Sequence, residues 1–171
     1  MKKITTLTML LFAVLTTQAQ SLIGTWQTSM PVDGGNLPLF ITFNADKSLR
    51  FEFQIPVNDE DLGFLKFSFL IKGTYTAEGK DLTLYLDKND AYIDFAEIRW
   101  SDTLKAAFAE NPELEQTVMD KLKAEMEKQK PKFLSSFDEF DEKEELNIDE
   151  VSATTLVLSD DDQAITFTRA K

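Results

Sequence analysis

Three runs of carboxylates are the first residues in this chain whose types and spacing bear on chemistry: Asp59-Glu60-Asp61, Asp138-Glu139 with Asp141-Glu142, and Asp160-Asp161-Asp162. Gathered carboxylates can hold calcium, and a suitably spaced pair can act as general acid and base. None of the runs has the EF-hand spacing with its glycine at the sharp turn. No spacing singles out a catalytic pair either. Each run falls in a predicted turn or at a helix end, where solvated carboxylates are ordinary. The chain also contains no histidine and no cysteine. That removes a Ser-His-Asp triad, histidine-ligated zinc and disulfides. The residues therefore predict a protein that is not an enzyme, with no catalytic residues, no metal and no cofactor.

The first 19 residues have the pattern of a signal peptide. Lys2 and Lys3 precede an apolar stretch from Ile4 to about Leu15, and Thr17-Gln18-Ala19 supplies small residues at the −3 and −1 positions of a cleavage site. Cleavage is expected after Ala19. The stretch is shorter than the roughly 20 apolar residues of a membrane span, so no integral membrane anchor is expected, and no cysteine is present to carry a lipid. Residues 20–171 then form a single domain that is exported, either periplasmic or secreted. The net charge is −12 over the whole chain, and the leader carries lysines but no acid. Such a charge repels phosphate backbones and anionic membrane surfaces, so nucleic acid is not an expected partner. With 43% hydrophobic and 11% aromatic residues, the chain is too apolar to be a disordered acidic segment.

From Leu22 to about Leu86 the apolar residues recur with period two between turn residues, which predicts consecutive antiparallel strands. The runs are "LIGTWQTS", "LPLFITF", "LRFEFQI", "FLKFSFLIKGTYT" and "LTLYL". Leu39, Ile41 and Phe43 share a face, as do Phe51, Phe53 and Ile55. Leu65, Phe67, Phe69, Ile71, Gly73 and Tyr75 form the strictest alternation. That fourth run is long for one strand, and Gly73 is a candidate bend or bulge.

The period then changes. A short helix is predicted from Ser101 to about Ala109. Asn111-Pro112-Glu113 gives an N-cap with proline at the first helical position, and Leu114, Val118, Leu122 and Met126 recur every four residues as one apolar stripe. Pro131 is expected to end this helix. Phe133, Phe137 and Phe140 continue at near-helical spacing and allow a further turn or two. Strand patterning returns with Leu146, Ile148 and Val151, then Leu156 and Leu158, then Ile165 and Phe167. The count is eight strands, five before a helical insert at about 97–140 and three after it.

The two ends of the domain carry a matched pair of residues. Leu22, Gly24 and Trp26 alternate onto one face of the first strand, and Ile165, Phe167 and Arg169 onto one face of the last. In a closed meander these strands are neighbours, so the Arg169 guanidinium could lie over the Trp26 indole, with Gly24 allowing close backbone approach. Gly24-Thr25-Trp26 and Arg169 resemble the GxW signature and closing arginine of lipocalins. The runs "GTYTAEGKDLTLYL" and "TTLVLSDDDQAITFTR" are similar to bacterial lipocalin-like domains. The resemblance covers about Leu22–Leu86 and Glu145–Arg169. It departs from typical lipocalins in placing helices between strands rather than after the barrel, and in lacking cysteines. The resemblance implies a mainly β fold: an eight-stranded antiparallel lipocalin-like meander barrel with the helical insert between strands 5 and 6. It also implies that Gly24, Trp26 and Arg169 are structural residues at the closed end.

An eight-stranded barrel is just wide enough to be filled by side chains or to hold one small ligand. Phe43, Phe51, Phe53, Leu65, Phe67, Phe69 and Tyr75 are the candidate ligand-binding residues. They either fill the interior or line a pocket for a small hydrophobic molecule, as the resemblance implies, and composition does not separate the two. The insert is open in the same way: a helix pair covering apolar surface, a lid over the barrel mouth, or a surface for a protein partner. The expected function is an exported, non-enzymatic binding protein for a small hydrophobic ligand. The alternative is a structural or interaction module with a filled barrel.

Overall fold

The computed structural model describes residues 22–32, 35–135, 143–161 and 163–171. Eight antiparallel strands follow one another around a closed ring: β1 (Gly24–Val32), β2 (Gly35–Phe43), β3 (Ser48–Asp59), β4 (Gly63–Glu78), β5 (Asp81–Trp100), β6 (Lys143–Val151), β7 (Thr155–Ser159) and β8 (Ala164–Arg169). Two helices, α1 (Asp102–Glu110) and α2 (Pro112–Ser135), lie between β5 and β6. The expected meander barrel with its insert is therefore the fold observed. The predicted signal peptide and the Phe137 and Phe140 positions lie outside the described residues.

The ring forms because strict alternation gives each strand one apolar face, and antiparallel register brings those faces together. Leu39 stands opposite Phe53 and Ile41 opposite Phe51, while Phe53 stands opposite Phe69 and Phe51 opposite Ile71. The continuous core runs from Leu22 and Trp26 through these residues to Leu156, Leu158 and Phe167.

Strand lengths are uneven. β3, β4 and β5 have 12, 16 and 20 residues, whereas β7 and β8 have 5 and 6. One wall of the barrel is thus much taller than the other. The fifth strand was expected to end near Leu86, but it continues to Trp100 after an excursion. Lys72 faces Asp87 and Leu70 faces Tyr92, so Lys88 to Ala91 bulge out opposite the single residue Ile71. The excursion breaks the alternation, which is why the strand's second half does not show in the pattern. The irregularity lies beside Gly73 rather than at it. What Gly73 provides is close approach, since any Cβ there would collide with the Tyr85 carbonyl of β5.

In the insert, the Ser101 hydroxyl accepts from Leu104 N–H at 3.3 Å and starts α1. Asn111 donates its backbone N–H to the Ala107 carbonyl to finish α1, and its own carbonyl accepts from Leu114 N–H in the first turn of α2. Pro131 does not end α2, which continues to Ser135. A proline inside a helix removes one ladder hydrogen bond. Here the turn that follows is held from outside, because Phe133 stacks on Phe69 of β4 with ring centroids 5.7 Å apart.

Closure of the ring is short. β1 and β8 pair only at Trp26–Arg169 and Gln27–Thr168. Beyond Gln27 toward Val32 the two strands form no further register pair. At this seam the Arg169 guanidinium lies 4.2 Å from the centroid of Trp26, whose indole is fully buried and donates to the Leu22 carbonyl at 2.8 Å. Arg169 also donates through Nη1 to the Ile23 carbonyl at 2.8 Å and through Nε to the Ala153 carbonyl at 3.2 Å. Gly24 has φ +132°, and a Cβ there would occupy the space of the guanidinium. Replacing Arg169 with alanine removes a cation–π contact and charged hydrogen bonds. The expected cost is about 2–3 kcal/mol, measured by urea denaturation, with a red shift of Trp26 emission in a Trp100→Phe background. Unchanged stability together with unchanged emission would refute this account of the seam.

Candidate functional site

The barrel is sealed at the Trp26 end and open at the other. The seal is built from large rings. Phe43 and Tyr75 meet edge to face at 5.0 Å, and both are buried. The Tyr75 hydroxyl donates to the Asn44 carbonyl at 2.9 Å. Lys47 sits 4.9 Å above the same ring. Trp26, Phe43 and Tyr75 fill this end with fully buried side chains.

Toward the other end a cleft of about 360 Å³ opens at the barrel surface. Its deep wall is Leu39 and Ile41 of β2, Phe51 of β3 and Leu84 of β5. Leu146 of β6, Leu158 of β7 and Phe167 of β8 close the opposite side. Met30, Ile165, Glu144, Asp160 and Gln163 form the rim. The opening follows from the strand geometry. β1 and β8 form no register pair past Gln27, where Met30 and Ile165 stand at the edge of the cleft, and Ile165 is 39% exposed there. β5 pairs with the start of β6 over Asp81–Tyr85, so among the described residues β5 beyond Tyr85 has no β6 partner. The cavity lies within the roughly 300–1,000 Å³ range of small-molecule sites, with the apolar lining and few polar groups typical of them.

Of the seven candidate ligand-binding residues, Phe51 alone lines this cavity. Phe43 and Tyr75 belong to the sealed end, and Phe53 fills the core between Leu39 and Phe69. Phe69 is covered by Phe133. Leu65 and Phe67 lie on the tall wall outside the continuous core, where Phe67 packs on Phe95 at 5.1 Å. The other six are buried and pack against neighbouring side chains. Leucine, isoleucine and methionine supply most of the apolar lining, together with Phe51 and Phe167. Leu39 and Ile41 are identifiable as inward positions from the alternation. The contribution of β6–β8 depends on the short seam, for which the sequence carries no local signal.

The helical insert stands at the open end of the barrel. Phe108 of α1 is buried against Trp100, edge to face at 5.3 Å. Trp100 Nε1 donates to Glu115 of α2 at 2.9 Å. Phe133 and Leu134, in the last turn of α2, pack on the core. The predicted stripe of Leu114, Val118, Leu122 and Met126 is half-buried.

The acidic runs have local tasks. Asp59 Oδ1 accepts from the backbone N–H of Asp61 and Leu62 at 2.9 Å each, shaping the β3–β4 turn. Asp160 Oδ1 accepts from Gln163 N–H at 2.8 Å, shaping the β7–β8 turn. The run at 138–142 and Asp162 lie outside the described residues. Among the described residues, no group of three or more carboxylates converges to hold a metal ion, no buried side-chain polar atom lacks a partner, and no helix is long and apolar enough to cross a membrane.

No known family profile and no curated protein sequence matches the chain. Among solved structures it is similar to a lipocalin-like protein from Bacteroides uniformis, with TM-score 0.46 and 15% identity, covering 88% of this chain and 99% of that one. It is also similar to an uncharacterized protein from Bacteroides eggerthii, with TM-score 0.41 and 15% identity over 87% of this chain and 99% of that one. The functional reading rests on the barrel itself.

The sealed end has a measurable pH signature. Burial pushes the Tyr75 phenol above its ordinary value of 10.0, and the Asp46 carboxylate adds to the effect. The native state therefore holds this proton more tightly than the unfolded chain does. The resulting stability is fully present below the unfolded value near 10 and is lost as pH rises through the higher folded value. Tyr75→Phe should cost about 1 kcal/mol at neutral pH through the lost hydrogen bond and flatten the alkaline loss. Urea titrations of both proteins between neutral pH and the alkaline range check this. Equal alkaline slopes would assign the loss to other groups.

Proposed function

We propose that the protein is an exported, non-enzymatic binding protein that carries or senses one small hydrophobic ligand inside a lipocalin-like barrel. The observation that supports this reading is the apolar cleft of about 360 Å³, closed at the Trp26 end and open at the other. Burial of an apolar molecule there gains free energy at roughly 25 cal/mol per Å² removed from water, and the walls are already held by the strand ladder. The export part of the proposal rests on the basic, apolar and small-residue pattern of residues 1–19. Lipocalin kinship rests on Gly24, Trp26 and Arg169 at the seam. A protein-interaction role for the insert draws support from the half-buried stripe on α2 and is the second reading.

Native mass spectrometry of the protein purified from its own host, followed by solvent extraction, tests the first reading. A discrete stoichiometric adduct is expected. Ile165→Trp, at the rim of the gap, should block it. Phe67→Leu, on the tall wall, should leave it in place. An adduct that survives Ile165→Trp but is lost with Phe67→Leu would move the site to the tall wall. The absence of any adduct, with no uptake of added apolar probes, would favour the interaction module.

A further inference from the structure

Part of the barrel's apolar interior is covered by the chain itself. Leu39, Phe53, Phe69 and Ile93 stand opposite one another across β2, β3, β4 and β5 and form one inward row. Leu39, at one end of that row, lines the cleft. Phe69 is two strands further along, roughly 10 Å away at the usual strand spacing. There the last turn of α2 lies over it. Phe133 stacks on the Phe69 ring at 5.7 Å with the planes 23° apart, and Leu134 packs on the same core.

This cover is lightly held. α2 has 24 residues and buries none of them fully, and Phe133 and Leu134 are themselves half-buried. Pro131, two residues before Phe133, has no N–H to donate to the Glu127 carbonyl, and its ring crowds the preceding turn. The last turn is thus joined to α2 by a weakened ladder and owes its place to the Phe69 contact. The start of the insert is fixed elsewhere. Trp100 meets Phe108 and donates to Glu115, and the Ser101 hydroxyl donates to the Asp61 carbonyl at 2.6 Å. The last turn can therefore leave Phe69 without releasing either helix. Segments that move to admit ligands are drawn from such low-stability parts of a fold.

We infer that the last turn of α2 is a displaceable stopper that limits the length of the apolar ligand, with Phe133 as the length-determining residue. The inference rests on the proposed binding function and adds the size selection of that site. A short ligand lies in the cleft with α2 docked. An apolar chain long enough to run from Leu39 past Phe53 takes the place of Phe133 on the Phe69 ring.

Probes of graded length test this. 1-Octanol, 1-decanol and 1-dodecanol share a head group, and each is titrated by calorimetry into the natural protein and into Phe133→Ala. Each methylene moved from water to an apolar surface adds roughly fourfold in affinity. In the natural protein that increment should shrink as the chain lengthens, because the longer alcohols must lift Phe133. In Phe133→Ala it should persist, so 1-dodecanol should bind about tenfold or more tighter than to the natural protein. 1-Octanol, which the cleft holds without Phe133, should bind both alike. Hydrogen exchange of the natural protein reads the movement without a variant. Bound 1-dodecanol should speed exchange of the amides at 132–135, and 1-octanol should not. Equal length dependence in both proteins with unchanged exchange would overturn the stopper, while 1-octanol binding upheld the cleft. An equal gain for all three alcohols in Phe133→Ala would overturn the selection by length. No binding by any of the three would overturn the binding function as well.

Discussion

The seam between β1 and β8 is the shortest pairing in the ring, two register positions long, yet it turns a curled meander into a barrel. So short a ladder is held by what surrounds it. The Arg169 guanidinium covers Trp26 and ties Ile23 and Ala153 together through their carbonyls. Gly24 supplies the space, and the buried indole supplies the surface. Because the seam is concentrated at one end, β1 and β8 form no register pair at the other, where the cleft opens. The same contact that seals the barrel therefore leaves room for the cavity.

Unequal strand lengths give the open end its character. β3, β4 and β5 extend past the ring and carry the helices, so the insert is anchored to the tall wall through Trp100–Phe108 and Phe69–Phe133. The short strands β7 and β8 leave the cavity accessible on the low side. Apolar interior and acidic rim come from different sources. The first comes from inward positions of β2, β3 and β5, and the second from the first inward position of β6 and the β7–β8 turn.

Much of this is legible in the residues, and the parts that are not have physical reasons. Alternation reports strands wherever one face is buried, so all eight can be located from period two alone. It fails on the second half of β5, where the residues Lys88 to Ala91 leave the ladder and shift the phase. Pro131 misleads because a stop signal is local, whereas the Phe133–Phe69 stacking that carries α2 past it is tertiary. The Trp26–Arg169 contact is inferable because ring closure brings the first and last strands together. The cavity is not, because a void is set by where side chains stop short, and of the phenylalanines named as candidates only Phe51 lines it.

The seam joins groups 146 residues apart in sequence, through the bond from Arg169 to the Ile23 carbonyl. Every other pairing in the meander links strands consecutive in the chain, though the β5–β6 pair must span the insert. Closing the ring therefore carries the largest loop entropy of any pairing in the fold, and hairpin zippering can precede it. A chain that has zipped but not closed is an open curled sheet with two unpaired borders. Such borders are templates for edge-to-edge association with other chains. Holding Arg169 on Trp26 thus keeps a meander from becoming a polymerising unit, a colloidal role separate from any ligand.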